Sequence, residues 1–270
     1  MIDRVVVLGA GYAGLAILRR ATEAGLRALG TTRDAGRAAA LTTGGIEAFC
    51  GSVGESALHD QLRAQDHVVV TFPPDGVTDA ALAPTLRNVA AVTYLSTTGV
   101  YDDRRGIIDD ATPLPDAPST RATARLAAEE VYRNVGATVL RCPGIYGPDR
   151  GLHVRVASGK HRIPGDGTRF TSRIHVDDLA TLALAAGAVH GKTFVVGDEA
   201  PAPHGEVVRW ICGAWGVPLP PYAPLEEVHE TLRADRRVDA RRALQVLGVT
   251  LRYPTFREGM APPAAPTART

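Results

Sequence analysis

Three groups of residues have types and spacings that could do chemistry. The first is Gly9-Ala10-Gly11-Tyr12-Ala13-Gly14, a Gly-x-Gly-x-x-Gly run. Gly9 suits a tight turn, Gly11 lets the backbone approach a pyrophosphate, and Gly14 lets the following helix pack close to the preceding strand. The second is Thr31-Thr32-Arg33, about 20 residues on, where an NAD(H) site usually carries an acid for the ribose hydroxyls. Arg33 instead offers a planar guanidinium to a 2′-phosphate, with Thr32 adding a hydroxyl and Arg37 a second charge. This predicts NADP(H), with NAD(H) the alternative if Asp34 serves the ribose. The third is PSTRATARLAAEE from Pro118 to Glu130, which sets Arg121, Arg125 and Glu129 at four-residue intervals. On its own that is a helix start with an ordinary ion pair on one face.

These groups need elements to place them. Runs of strand length (RVVVLG, LRALGTT, IEAFCG, HVVVTF, AVTYLSTT, ATVLRC) alternate with alanine-rich stretches of helical period. Strands that read as continuous Val, Leu and Ile are covered on both faces, so the pattern predicts an α/β fold: a Rossmann doubly wound parallel sheet with helices on each side. The Gly9 run follows the first strand and opens a helix, the context that phosphate binding at a helix N-terminus requires. Glycines close helices at Gly25, Gly44 or Gly45, and Gly136. From Pro148 the chain is richer in Gly, Pro and Arg, with a further strand (TFVVGD), a helix (HGEVVRWICGAWG) and helical character around Arg236 to Leu247. The expected division is a Rossmann domain over 1–147 and about 171–198, with a small substrate lobe of 148–170 and 199–259 interleaved with it. Residues 260–270 read as a disordered tail.

Composition narrows the partners. The 270 residues carry 30 Lys+Arg against 29 Asp+Glu, a net charge of +1, too balanced to bind nucleic acid or an acidic membrane without a local patch. A small-molecule substrate is the expected partner. The start of the chain lacks the pattern of a signal peptide, and no apolar run reaches membrane-spanning length. Cys50, Cys142 and Cys212 form no pair motif and read as buried free thiols, which with the other features predicts a cytoplasmic location. GAVHGKT at Gly187–Thr193 imitates a P-loop but follows a helix and precedes a strand, so it reads as a turn. The adjacent acids Asp102-Asp103, Asp109-Asp110 and Asp177-Asp178 read as caps and loops, with no metal site.

Further segments carry a resemblance. Tyr94-Leu95-Ser96-Thr97-Thr98-Gly99-Val100-Tyr101, Arg141-Cys142-Pro143-Gly144-Ile145-Tyr146-Gly147-Pro148 and Ser172-Arg173-Ile174-His175-Val176-Asp177-Asp178-Leu179-Ala180 stand in order behind the glycine run. With Thr71-Phe72-Pro73-Pro74 and the closing Arg252-Tyr253-Pro254-Thr255-Phe256-Arg257-Glu258-Gly259, they resemble an atypical subgroup of the short-chain dehydrogenase/reductase superfamily, its NAD(P)-dependent epimerase/dehydratase branch. The resemblance implies a dinucleotide across the strand ends, a substrate cleft under a C-terminal lobe, and a homodimer through helices flanking the Pro118–Glu130 stretch. It assigns Thr97 to the family's catalytic Ser/Thr. Phe72 and Pro73 would line the cofactor, and Pro143, Gly144 and Ile145 would flank the nicotinamide. Ser52 and Val53 follow the third strand, where the family usually has an Asp near the adenine.

The family's Tyr-x-x-x-Lys pair, counted back from Glu129, falls on Arg121 and Arg125. A guanidinium stays protonated and cannot act as the general acid/base that the tyrosine supplies. Arg125 can keep a lysine-like fixed charge, and Arg121 could anchor an anionic substrate group. Tyr101, Tyr146 and His175 are the titratable candidates left for proton transfer, each also readable as a packing or loop-orienting residue. The expected function is an NAD(P)-dependent oxidoreductase or epimerase/dehydratase-like enzyme on a small polar, anionic substrate. The alternatives are an NADP(H)-binding sensor without redox catalysis and an enzyme on a nucleotide-sugar.

Overall fold

The computed structural model describes residues 2–263. The first half alternates strand and helix: β1 (Arg4–Leu8), α1 (Tyr12–Glu23), β2 (Arg27–Thr32), α2 (Ala35–Thr43), β3 (Glu47–Cys50), α3 (Ser56–His59), β4 (Asp66–Val70), α4 (Val77–Leu86) and β5 (Ala91–Thr97). There follow β6 (Gly106–Ile108), α5 (Thr120–Arg133) and β7 (Thr138–Cys142). The short elements β8 (Gly144–Tyr146), α6 (Leu152–Ala157), β9 (Ile163–Pro164), β10 (Phe170–Thr171) and β11 (Arg173–His175) lead into α7 (Val176–Ala185) and β12 (Thr193–Val195). Last come β13 (Ala202–Pro203), α8 (His204–Trp215), β14 (Tyr222–Ala223), β15 (Arg236–Val238), α9 (Arg241–Leu247) and α10 (Phe256–Gly259).

Seven strands form one sheet in the order β12-β7-β5-β4-β1-β2-β3, every pair parallel. Each residue of β1, β4 and β7 is buried, as strands covered on both faces must be. One face packs Ile17 and Leu18 of α1, Leu41 of α2 and Leu179 and Leu182 of α7. The other packs Leu82 and Leu86 of α4 with Ala128 and Tyr132 of α5. Burying each such Leu or Ile contributes about 1.5–3 kcal/mol. The chain winds outward from β1 in both directions, so the sheet order reverses between β1 and β4. In such sheets the ligand crevice lies at the C-terminal ends of the strands at that point. The α/β Rossmann expectation is met.

The rest of the chain builds a smaller core from Val156, Ile163, Val207, Val208, Ile211 and Phe256. Three details depart from the expected organisation. Arg236–Val238 is not helical but a strand, β15, paired in parallel with β6; three-residue strands are too short to show a period. Ala243 of α9 and Leu251 pack into the core under α1 and α7 rather than into the small lobe. Met260, placed by the sequence in the tail, is buried and its carbonyl accepts a 2.8 Å hydrogen bond from Trp215 Nε1; residues 264–270 of that tail lie outside the described residues. Of the three free cysteines, Cys142 is buried but Cys50 is exposed at the end of β3, against the expectation of buried thiols. Among the described residues no helix is long and apolar enough to cross a membrane.

Candidate active site

The glycine run joins β1 to α1. Gly9 has φ +105°, its N–H donates to Thr31 Oγ1 at 2.9 Å, and its carbonyl accepts from Thr71 Oγ1 at 2.6 Å. A Cβ on Gly14 would stand 2.2 Å from the Gly9 carbonyl oxygen, so a larger residue cannot fit there. A Cβ on Gly11 would meet nothing within 4 Å. The first turn of α1 has no side-chain cap and no acid, so its free N–H groups and positive dipole end face open space. That arrangement fits a pyrophosphate. Tyr12 and Ala13 are half-buried beside it. The Tyr12 ring lies under the Arg150 guanidinium at 4.9 Å, and its phenol is pushed up to about 12, chiefly by burial and then by Asp149. A Cβ on Gly147 would be 2.4 Å from the Tyr12 hydroxyl.

At the end of β2, Thr32 Oγ1 accepts from Asp34 N–H at 3.1 Å. Asp34 caps α2, its carboxylate accepting from Arg37 N–H at 2.7 Å. Arg33 is exposed at the strand end, and Arg37 Nη1 reaches back to the Ala10 carbonyl at 3.3 Å. Two arginines thus stand at the strand end, and Asp34 between them is engaged as a cap. Beyond β3, Ser52 is exposed and donates its N–H to Glu55 Oε1 at 2.5 Å, while Val53 is half-buried against the α4/α5 core. Glu55 thereby sets a carboxylate beside the position where the family keeps its Asp. Its signal was the Ser-x-x-Glu spacing of a capping box, which the sequence reading passed over. After β4, the Phe72 backbone N–H lies against Gly9, 3.2 Å from where a Cβ there would stand; Phe72 is half-buried and Pro73 exposed.

Thr97 ends β5 half-buried, its Oγ1 accepting from Gly99 N–H at 3.0 Å, so its hydroxyl proton is free to be donated. The α5 helix begins at Ser119, whose side chain caps Ala122 N–H at 3.3 Å. Asp102 in turn holds Ser119, accepting from its N–H at 2.7 Å and its Oγ at 2.6 Å. Asp102 does so at φ +47°, the only non-glycine positive φ among the described residues. The two arginines part company along this helix. Arg125 is half-buried and donates to the Tyr94 hydroxyl at 3.4 Å. Arg121 turns outward and pairs with Glu230, both side chains more than 60% exposed at 67% and 63%. Arg236, missed in the sequence because it was read as helical, donates from Nη1 to the Thr98 carbonyl.

The proton-transfer candidates sit deeper. The Tyr101 hydroxyl accepts from Arg141 Nη1 at 2.9 Å and donates to the Asp109 carbonyl at 3.3 Å, and burial raises its pKa. The Tyr146 hydroxyl is buried without a hydrogen-bond partner among the described residues, its pKa also raised by burial. His175 caps α7, its Nδ1 accepting from Asp177 N–H at 3.2 Å, with its ring stacked 3.7 Å from that of Tyr253. Burial lowers its pKa, and Asp177 opposes part of that shift. Pro143 leads from β7 into β8, where Gly144 is exposed and Ile145 lies opposite Ile174 of β11. Among the described residues no group of three or more His, Cys, Asp or Glu could hold a metal.

No family model matches the chain. A curated relative, a 3-diazoavenalumate denitrifying reductase from a Streptomyces species, is 30% identical over 182 residues, covering 57% of this chain. The chain spans 58% of that relative's length. A solved structure of a conserved protein of unknown function from Silicibacter pomeroyi superposes with a TM-score of 0.83 at 30% identity, over 96% of both chains. The UDP-glucuronic acid 4-epimerase of Bacillus cereus, solved with NAD, superposes with a TM-score of 0.77 at 17% identity, over 95% of this chain and 96% of that one.

Proposed function

The chain has the fold of the NAD-dependent epimerases and dehydratases of the short-chain dehydrogenase/reductase type, and from that premise we propose that it is an NADP(H)-dependent reductase of a small, polar, anionic substrate. The observation that carries this reading is the open space before Gly11 at the uncapped N-terminus of α1, with Arg33 and Arg37 at the neighbouring strand end. Gly9, Gly11 and Gly14 would hold the pyrophosphate, and Arg33, Thr32 and Arg37 the 2′-phosphate. Phe72, Pro73, Pro143, Gly144 and Ile145 would line the dinucleotide. When bound, the nicotinamide supplies or takes a hydride. Thr97 would donate a hydrogen bond from its hydroxyl to the substrate atom on which negative charge develops as the hydride is added, and Arg125 would contribute a fixed positive charge.

No general acid stands at the Arg121 and Arg125 positions, which favours an acceptor strongly electrophilic before any proton is added. The relative named for reductive denitrification of a diazo compound suggests one such class. Fluorescence titration with NADPH and NADH, followed by a screen for NADPH oxidation with electrophilic carboxylates, tests the reading. NADPH should bind more tightly than NADH, and Arg33→Ala should cost about tenfold in NADPH affinity alone. Equal affinity for the two cofactors, or no effect of Arg33→Ala, would remove the NADP(H) assignment. A second reading, an NADP(H) sensor, is favoured by the outward turn of Arg121. Its signature is tight NADPH binding with no turnover and no effect of Thr97→Val.

A further inference from the structure

A guanidinium withdrawn from water needs an anion or a full set of acceptors, because desolvating a charge is costly unless the charge is paired. The buried arginines of this fold obey that rule: Arg4 lies on Asp66, Arg141 on Glu129, and Arg173 is 3.7 Å from Asp198. Arg236 does not. It is half-buried, and among the described residues its guanidinium has the Thr98 carbonyl as acceptor and no ion pair. Asp102, the acid whose field reaches it, accepts hydrogen bonds from Ser119, and Asp235, its neighbour in the chain, accepts from the Phe170 N–H at 2.9 Å. Burial lowers the Arg236 pKa, and the field of Asp102 restores only part of it.

Strand geometry fixes where this cation points. In β15 the side chains alternate, so Arg236 shares the side of buried Val238, while Arg237 faces out and lies over the Phe170 ring at 3.7 Å. The residue opposite Arg236 on β6 is Gly106, where a Cβ would meet nothing within 4 Å. Gly106 thus offers Arg236 no side-chain partner, and the guanidinium is anchored to the carbonyl of Thr98, the residue that follows Thr97. Arg125, also without an ion pair among the described residues, reaches Tyr94 of β5, the strand that ends at Thr97, from α5.

We propose that Arg236 is the specificity-determining residue of the cleft, binding an oxyanion of the substrate, a carboxylate or a phosphoryl group, beside Thr97. This rests on the reading of the cleft as a nicotinamide-dependent site. Of the five guanidinium N–H donors, those not spent on Thr98 are available to the anion, whose planar or tetrahedral oxygens match the fork.

The test uses the full chain saturated with NADPH and three probes: benzoate, phenyl phosphate and the neutral benzyl alcohol, followed by calorimetry. At least one anion should bind the wild-type protein more tightly than the alcohol, and the preferred anion identifies the group. Arg236→Gln should weaken that anion about tenfold or more, and Arg237→Gln, on the outward side of the same strand, should leave it unchanged. Anions that bind no better than the alcohol, or equal affinities in the two variants, overturn the proposal. If Arg236→Gln melts early, Arg236→Lys replaces it: weaker anion binding at an unchanged melting temperature supports the proposal, and unchanged binding overturns it. Failure of NADPH itself to bind would remove the nicotinamide reading and this inference together; NADPH binding with anion affinity indifferent to residue 236 removes this inference alone.

Discussion

Glu129 holds Arg141 by both arms of its guanidinium, accepting from Nε at 3.0 Å and from Nη2 at 2.7 Å, with neither side chain more than 6% exposed. The same carboxylate accepts from Ser96 Oγ at 2.6 Å, and Arg141 passes on to the Tyr101 hydroxyl. One carboxylate on α5 thus ties together β5, β7 and the turn after Thr97. Glu129→Gln leaves the Arg141 charge buried and short of its partner, and should lower stability by about 3–5 kcal/mol. The double variant Glu129→Leu with Arg141→Met should recover most of that loss. Urea denaturation of the three proteins checks it; a double variant as unstable as Glu129→Gln would count against this account.

Gly11 and Gly14 should respond to alanine in opposite ways. Gly11 has φ −83° and open space around it, so Gly11→Ala should leave unfolding within about 0.5 kcal/mol of wild type while sharply weakening NADPH binding. Gly14→Ala drives a Cβ into the Gly9 carbonyl and should lower both the melting temperature and the affinity. If Gly11→Ala bound NADPH normally, the cofactor could not lie over α1 as described.

Mild acid should destabilise the fold through its buried histidines. Burial lowers His67 to about 4, His161 to about 4 and His204 to about 3, against about 6.5 in an unfolded chain. Between those values the unfolded state binds the extra protons, so each histidine's contribution is intact above about pH 6.5 and falls as pH drops toward its folded value, by about 1.4 kcal/mol per pH unit. Asp198, raised to about 6 by burial, acts in the opposite sense: its contribution is full below the unfolded carboxylate value and is lost as pH rises through 6. Burial also raises Asp110 and Asp178 and lowers His153 and His175, so the lowered histidines outnumber the raised aspartates and stability should climb from pH 4.5 to 6.5. His204→Gln should flatten the climb; a melting temperature constant over that range would refute the ordering.

The Arg121 and Glu230 pair is exposed on both sides, so Arg121→Ala should change stability by less than about 1 kcal/mol. Thermal melts in low and high salt check this. A larger loss would mean that the contact does more than an ordinary surface pair.

Much of this protein was legible before any coordinates. Continuous Val and Leu runs separated by helical stretches require a doubly covered parallel sheet, and the glycine spacing located the β1–α1 turn. What stayed hidden depends on distance along the chain. Nothing local to Arg121 announces Glu230, 109 residues away, and nothing local to Arg236 announces Thr98, 138 residues away. The β6–β15 ladder that holds Arg236 is three residues long on each side, too brief for its alternation to outvote the helical stretch beside it. Tyr101 and Tyr146 looked like candidate acids because sequence reports a hydroxyl without its burial.

The close approach of Gly147 to the Tyr12 hydroxyl sets a rule for anyone grafting loops between relatives of this protein. A side chain at 147 and the tyrosine at 12 compete for one volume, so the two segments must be exchanged as a matched set. A chimaera that imports the phosphate loop with its tyrosine must import a glycine after the β8 strand as well, and a smaller residue at 12 would not by itself free the position, because a Cβ at 147 also stands 2.8 Å from Val176 Cγ1.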